Sequence, residues 1–276
     1  MKRKIEMFFM CFLLVLVCLM PKVSAAVSND IGVVLLHGSK NTTKWIGPLV
    51  KQLKKAKVQV VTPEMTWSEN RRWDVNLSET MTEIDNAVAS LQKNGATKIF
   101  VGGHSIGGSV AAAYVADHKD IAGVLLIAPG HTNAMEGFQE QLVANVEFAR
   151  QMVNDGKGNE VTTFPGKPCN DVAKANPKIK KLNWSVPTSS AIYLSHFDPD
   201  VKDVMPESIQ KIDSKTAVLW IAGKSDSWTK TEGEKAFAMA HQNPNNKYII
   251  VKGGHLQTPD KGKKEIVSWV MTTGSM

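Results

Sequence analysis

Residues 102–108 read Gly-Gly-His-Ser-Ile-Gly-Gly, and no other stretch restricts the fold of this chain as strongly. Just before it, Lys98-Ile-Phe-Val101 has the β-branched, apolar character of a buried strand. Just after it, Ser109-Val-Ala-Ala-Ala-Tyr-Val-Ala-Asp117 favours a helix. A flexible linker has no place between a buried strand and an alanine-rich helix. The run is therefore a turn too tight for Cβ atoms beside Ser105. Gly103-His104-Ser105-Ile106-Gly107 has the G-x-S-x-G spacing of a strand-to-helix elbow, in which a strained turn exposes the serine hydroxyl.

The same alternation runs along the rest of the chain. Apolar runs at 31–36, 58–61, 123–127, 217–221 and 248–251 join 98–101 to give six predicted strands. Met81, Ile84, Val88 and Leu91 follow helical spacing, and Thr80-x-x-Glu83 has the form of a capping box. Ile266, Trp269 and Val270 mark one face of a closing helix. Strand–helix alternation predicts an α/β fold with a mostly parallel six-stranded sheet and helices on both faces. The interval from about residue 131 to 213 breaks it. Leu142, Val146, Ala149 and Val153 mark one helix there, and Trp184, Ile192, Tyr193 and Phe197 supply core material. An insertion of about 80 residues between sheet strands is too long for a plain connection and predicts a cap.

A serine hydroxyl needs a base, and the base needs an orienting acid. His255 lies just past the last strand in Val251-Lys-Gly-Gly-His255, at the carboxyl edge where ligands bind in open α/β sheets. Asp226 follows the preceding strand in the same way, whereas Asp213 precedes that strand and belongs to the wrong edge. The order Ser105, Asp226, His255 is the chain order of an α/β-hydrolase triad. The other histidines are assigned elsewhere. His104 is expected to pack away from Ser105, His37 to hold its loop, and His118, His131, His196 and His241 to lie at the surface. An oxyanion needs two preorganised N–H donors. Ile106, directly after the serine, offers one from its backbone, and Ser39, in Leu36-His-Gly-Ser39, offers the other.

These motifs resemble the α/β-hydrolase superfamily, in particular its serine esterase and lipase-like members with an HGx oxyanion loop. The resemblance rests on His37-Gly38-Ser39, Gly103 to Gly107, Gly223-x-x-Asp226 and Gly254-His255, and spans nearly the whole chain after residue 25. It implies a Ser-His-Asp hydrolase that needs no cofactor or metal, with the insertion serving as a cap. The expected function is cleavage of carboxylic esters of small substrates through an acyl-enzyme. Thioesterase, amidase and lipase activities on the same triad remain open, as does a non-catalytic binding protein on this scaffold. Trp67 and Trp73, in the loop after the second strand, are expected either to form an acyl pocket with Met65 and Phe138 or to pin their own loop. Arg71-Arg72 between them is expected to be a solvated pair, contact with an anionic substrate being the other reading.

Composition bears on the chain's surroundings. Met-Lys-Arg-Lys, an apolar run from Phe8 to Met20 and Val23-Ser-Ala25 have the three parts of an export signal cut after Ala25. That leaves a single domain over 26–276. The expected location is secreted or periplasmic. The run is short for a bilayer span, which takes about 20 residues, and the alternative reading is an uncleaved N-terminal anchor. The signal carries Lys2, Arg3, Lys4 and Lys22 against Glu6, or +3, which lowers the net charge from +7 to +4. A mildly basic chain without a dense Lys/Arg stripe is not expected to bind nucleic acid. Cys11 and Cys18 leave with the signal, so Cys169 is alone and forms no intramolecular disulfide. Sequons at Asn41, Asn76 and Asn183 matter only in a eukaryotic secretory route.

Overall fold

Six short runs of apolar residues can all be buried only if helices cover both faces of the sheet they form. A computed structural model, describing residues 30–40, 44–130, 136–166, 185–201, 205–226 and 233–276, has that arrangement. The sheet strands are β1 (Ile31–Leu36), β2 (Gln59–Val61), β3 (Lys98–His104), β4 (Gly123–Ile127), β7 (Ala217–Gly223) and β8 (Lys247–Val251). They lie in the order β2-β1-β3-β4-β7-β8, every pair parallel. The fold is that of an α/β-hydrolase. The chain reverses its direction across the sheet between β1 and β3. Their carboxyl ends therefore flank the topological switch point, where such sheets bind ligands.

Two apolar clusters cover the faces. On one, Leu49 and Leu53 of α1 (Gly47–Lys55) meet Ile266, Trp269 and Val270 of a closing helix against Val33, Leu35 and Phe100. That helix is Lys263–Gly274. On the other, Ile84, Val88 and Leu91 of α2 (Leu77–Lys93) and Val110 to Val115 of α3 (Ile106–Ala116) pack against Val34, Leu36 and Val101. The predicted capping box is displaced. Asn76 caps α2 by accepting from the Glu79 N–H at 2.9 Å, and Glu79 accepts from the Asn76 N–H at 3.1 Å. Thr80 instead donates to the Asn76 carbonyl, and Glu83 is taken by Arg71.

The predicted insertion, between β4 and β7, contains α4 (Glu136–Asn154), an antiparallel pair β5 (Val161–Phe164) and β6 (Val186–Ser189), α5 (Ser190–Phe197) and α6 (Glu207–Lys211). Val146, Ala149, Phe164, Tyr193 and Phe197 join the same cluster as α2 and α3. Val153, placed on the apolar face from its spacing, is exposed instead. Four hydrogen bonds fasten the insertion to the loop after β2 and to the loop after β1. The Thr188 hydroxyl donates to the Trp73 carbonyl at 2.6 Å, and His196 Nε2 donates to the Val75 carbonyl at 3.0 Å. The Leu77 N–H donates to the Ser195 hydroxyl at 3.0 Å, and Lys40 Nζ to the Ser185 carbonyl at 3.2 Å. His196 is thus buried, which corrects its expected surface position. The export signal, Cys169, Trp184, His131, Asn41 and Asn183 lie outside the described residues. No helix among the described residues is long and apolar enough to cross a membrane.

Candidate active site

Ser105 sits between β3 and α3 with φ 56° and ψ −127°, a strained conformation for a residue with a Cβ. The glycines around it have a steric reason. A Cβ on Gly103 would lie 2.4 Å from the Gly107 carbonyl carbon, and one on Gly107 would lie 2.7 Å from the His37 carbonyl oxygen. Helix and strand approach too closely for any side chain at these positions. The Ser105 N–H donates to the Ile127 carbonyl at 3.1 Å, and its own carbonyl accepts from Gly108 at 2.9 Å. The turn is held by its backbone, which leaves the hydroxyl unused by the fold.

That hydroxyl lies 2.9 Å from His255 Nε2, and His255 Nδ1 lies 2.9 Å from Asp226 Oδ2. A carboxylate only accepts, so Nδ1 carries the proton, and Nε2 is left to accept from Ser105. Asp226 is 1% exposed. The loops carrying acid and base are stitched together. Lys224 N–H donates to the Val251 carbonyl at 2.8 Å and Ser225 N–H to the Gly253 carbonyl at 2.9 Å. Asp213 stands apart, accepting from the Lys215 N–H at 2.8 Å in its own turn before β7.

His104 does more than pack. It is buried, its Nε2 donates to the His255 carbonyl at 3.0 Å, and the two rings lie 4.9 Å apart. It therefore fixes the backbone that carries His255. A residue beside the serine gives no sequence signal of a bond spanning 151 positions.

The loop after β1 is braced from below. His37 Nε2 accepts from the Met65 N–H at 3.0 Å, so its Nδ1 carries the proton and donates to the Gly38 carbonyl at 2.8 Å. Burial holds this imidazole below the ordinary histidine pKa, in keeping with a neutral ring. Trp67 Nε1 donates to the His37 carbonyl at 2.8 Å, and the Lys40 N–H donates to the Trp67 carbonyl at 3.0 Å. A Cβ on Gly38 would lie 3.2 Å from that of Ser105, so this loop abuts the serine and Ser39 follows directly. Ile106 opens α3, where a backbone N–H lacks an intrahelical partner. Gly130 faces the pair from the far side; a Cβ there would lie 3.7 Å from His255 Cε1 and 3.8 Å from Ser105 Oγ.

Of the two readings of Met65, Trp67 and Trp73, their burial favours the pinning of their own loop. Met65 and Trp67 are 0% exposed and Trp73 is 5% exposed, all three within the core cluster. Their loop is pinned by them. The Phe138 side chain lies outside the described residues. Trp67 and Trp73 do back a cleft of about 170 Å³, but its mouth is polar, carrying Lys40, Glu69 and Arg72. The neighbouring Arg71 is committed to structure, with both terminal nitrogens on Glu83 at 2.8 and 2.6 Å and Nε on Asp74 at 3.0 Å. Among the described residues no group of three His, Cys, Asp or Glu side chains is placed to hold a metal ion.

Residues 28–255 match the family model for serine aminopeptidase, S33. No curated protein matches the chain by sequence. Many solved structures share the fold. One of two metagenome-derived lipolytic enzymes is 16% identical with a TM-score of 0.64, covering 89% of this chain and 94% of its own. A thermostable carboxyl esterase from Bacillus coagulans is 14% identical with a TM-score of 0.61, covering 89% and 91%. A thermophilic esterase from Thermogutta terrifontis is 17% identical with a TM-score of 0.57, covering 88% and 90%.

Proposed function

The chain belongs to the serine aminopeptidase (S33) family of α/β-hydrolases, and from that premise we propose that it is an exported serine hydrolase cleaving carboxylic esters of small substrates. The observation that carries the reading is the continuous relay from Ser105 Oγ through His255 to Asp226, with both links at 2.9 Å. As Oγ attacks the acyl carbonyl, its proton passes to His255 Nε2, and Asp226 stabilises the imidazolium. The carbonyl oxygen gains charge and is met by the N–H groups of Ser39 and Ile106. When the C–O bond to the leaving alcohol breaks, His255 returns the proton to that alcohol, leaving an ester on Ser105. Water then attacks the acyl carbon, gives a proton to His255 and releases the acid, and Ser105 Oγ recovers that proton.

Likeness to solved esterases and lipolytic enzymes favours an ester over an amide substrate. The segment over about 131–213 is proposed as a cap that limits acyl length and keeps water from the developing oxyanion. Residues 1–25 are proposed as the export signal. Two measurements test the reading. A fluorophosphonate probe labels only an activated serine, and its failure to label would leave a non-catalytic binding protein. A series of p-nitrophenyl esters run beside alanine p-nitroanilide should show ester turnover, favouring acyl chains of roughly two to eight carbons. Faster anilide cleavage would favour the amidase alternative instead.

A further inference from the structure

Six non-glycine residues among those described have a positive φ: Lys40, Lys57, Arg72, Trp73, Ser105 and Ala128. Ser105 is the candidate nucleophile. Lys40, Arg72 and Trp73, at 54°, 52° and 62°, all line the cleft beside the oxyanion loop. A left-handed backbone is unfavourable for a residue with a Cβ and persists where the surrounding structure holds it. Here it has a visible effect. Successive arginines are sent different ways, Arg71 to Glu83 and Asp74, and Arg72 to the mouth of the cleft.

Arg72 is exposed, and its Nε makes a long bond of 3.4 Å to the Glu69 carbonyl. Its two terminal nitrogens have no partner among the described residues. Lys40 lines the same cleft, where its Nζ donates to the Ser185 carbonyl at 3.2 Å. Among the described residues of the lining Glu69 is the one acid, so two cations face one carboxylate there. Burial holds Lys40 below the ordinary lysine pKa; attraction to Glu69 opposes it and exceeds the repulsion from Arg72. An anion entering the cleft adds to the charge compensation that Glu69 supplies. Distance suits a small molecule: Lys40 is two residues past Gly38, which abuts Ser105, a span of about 7 Å of chain.

Resting on the serine hydrolase reading above, we propose that this cleft binds the free carboxylate of the substrate, so that the preferred esters are monoesters of short dicarboxylic acids. Arg72 and Lys40 hold the carboxylate, Trp67 and Trp73 form the inner wall, and the ester carbonyl then falls between Ser105 and the oxyanion loop. A cationic subsite also argues against free-amine peptides, whose α-ammonium requires an acid.

The test compares p-nitrophenyl hydrogen glutarate with p-nitrophenyl pentanoate, which have equal acyl carbon number and differ in the terminal carboxylate. The wild-type ratio of kcat/KM, glutarate over pentanoate, should be at least about tenfold, carried by KM and falling as salt rises. Asparagine tolerates the left-handed conformation, so Arg72→Asn and Lys40→Asn should each fold and lower that ratio about tenfold, or about 1.4 kcal/mol. Free glutarate should compete with pentanoate turnover in wild type and much less in Arg72→Asn. Lys54→Gln, on distant α1, controls for net charge. A wild-type ratio of one or less, or a ratio that Arg72→Asn leaves unchanged, overturns the subsite while pentanoate turnover keeps the hydrolase reading intact. Should neither ester turn over and the fluorophosphonate fail to label, the hydrolase reading fails and the subsite with it.

Discussion

Replacing His196 by glutamine should flatten the dependence of stability on pH. His196 is buried on α5, edge-on to Trp73 at 5.0 Å, with Nε2 donating to the Val75 carbonyl. Burial holds its pKa down at about 4, against the hydrogen bond, which acts to raise it. In the unfolded chain the value is about 6.5. Between those values the unfolded state binds more protons than the folded one, so stability rises with pH across the window and is lost on acidification. For one such group, moving from pH 7.5 to 5.0 removes about 2 kcal/mol. His37, also held down by burial, adds a loss of the same sign. Urea unfolding at the two pH values gives the difference directly. In His196→Gln that difference should be smaller than in wild type by about 2 kcal/mol, whatever the variant's absolute stability. Equal differences in the two proteins, or a His196 ring that titrates near 6.5 by NMR, would refute the reasoning.

Ser105→Ala should abolish fluorophosphonate labelling and ester turnover while the thermal midpoint stays within a few degrees. Asp226→Asn should lower kcat by roughly 10³–10⁴ because His255 loses its orienting charge, whereas Asp213→Asn, which alters only its own turn, should leave kcat within about threefold. Gly103→Ala places a Cβ 2.4 Å from the Gly107 backbone and should cost at least about 3 kcal/mol in urea unfolding. Gly47→Ala, with nothing within 4 Å of the added Cβ, should cost less than about 0.5 kcal/mol. Protein isolated from its native host should begin at Ala26 on N-terminal sequencing; a chain starting at Met1 and pelleting with membranes would favour the anchor.

What could be read from the sequence divides by the range of the interaction. The inner strands β1, β3, β4 and β7 were legible because parallel strands buried on both faces leave unbroken apolar runs, and the partly exposed edge strands β2 and β8 keep the same β-branched character. β3 and β7 run two to three residues past their predicted ends, through Gly102–His104 and Ala222–Gly223, where glycines and a histidine hid the continuation. The elbow was legible because its steric demand is local. The α2 start was misread because two Asx/Thr–Glu spacings overlap, and only the packing of Leu77 decides between them. His196 was misplaced although Tyr193 and Phe197 beside it were read as core: its partner Val75 lies 121 positions away, so no local pattern showed where a buried imidazole would be satisfied. β5 and β6, reading Val-Thr-Thr-Phe and Val-Pro-Thr-Ser, lack the apolar run of a sheet strand and are held by each other.

The loop from Met65 to Leu77 connects these two classes of information. It touches the oxyanion loop through Met65, Trp67 and the Trp67 carbonyl, and the insertion through Trp73, Val75 and Leu77. The insertion is therefore joined to the loop beside Ser105 through this segment, whose two buried tryptophans are 6.2 Å apart, and directly through Lys40 and the Ser185 carbonyl. Among the described residues the proposed triad is braced differently. Ser105, Asp226 and His255 are set by the ends of β3, β7 and β8 and by bonds between their own loops, including that from His104. The proposed nucleophile and base thus rest on the sheet, whereas the loop carrying Ser39 and the cationic cleft are braced through the insertion. Changes in the insertion should accordingly alter substrate preference and oxyanion stabilisation, while reactivity toward a small phosphonate depends chiefly on the sheet-borne triad.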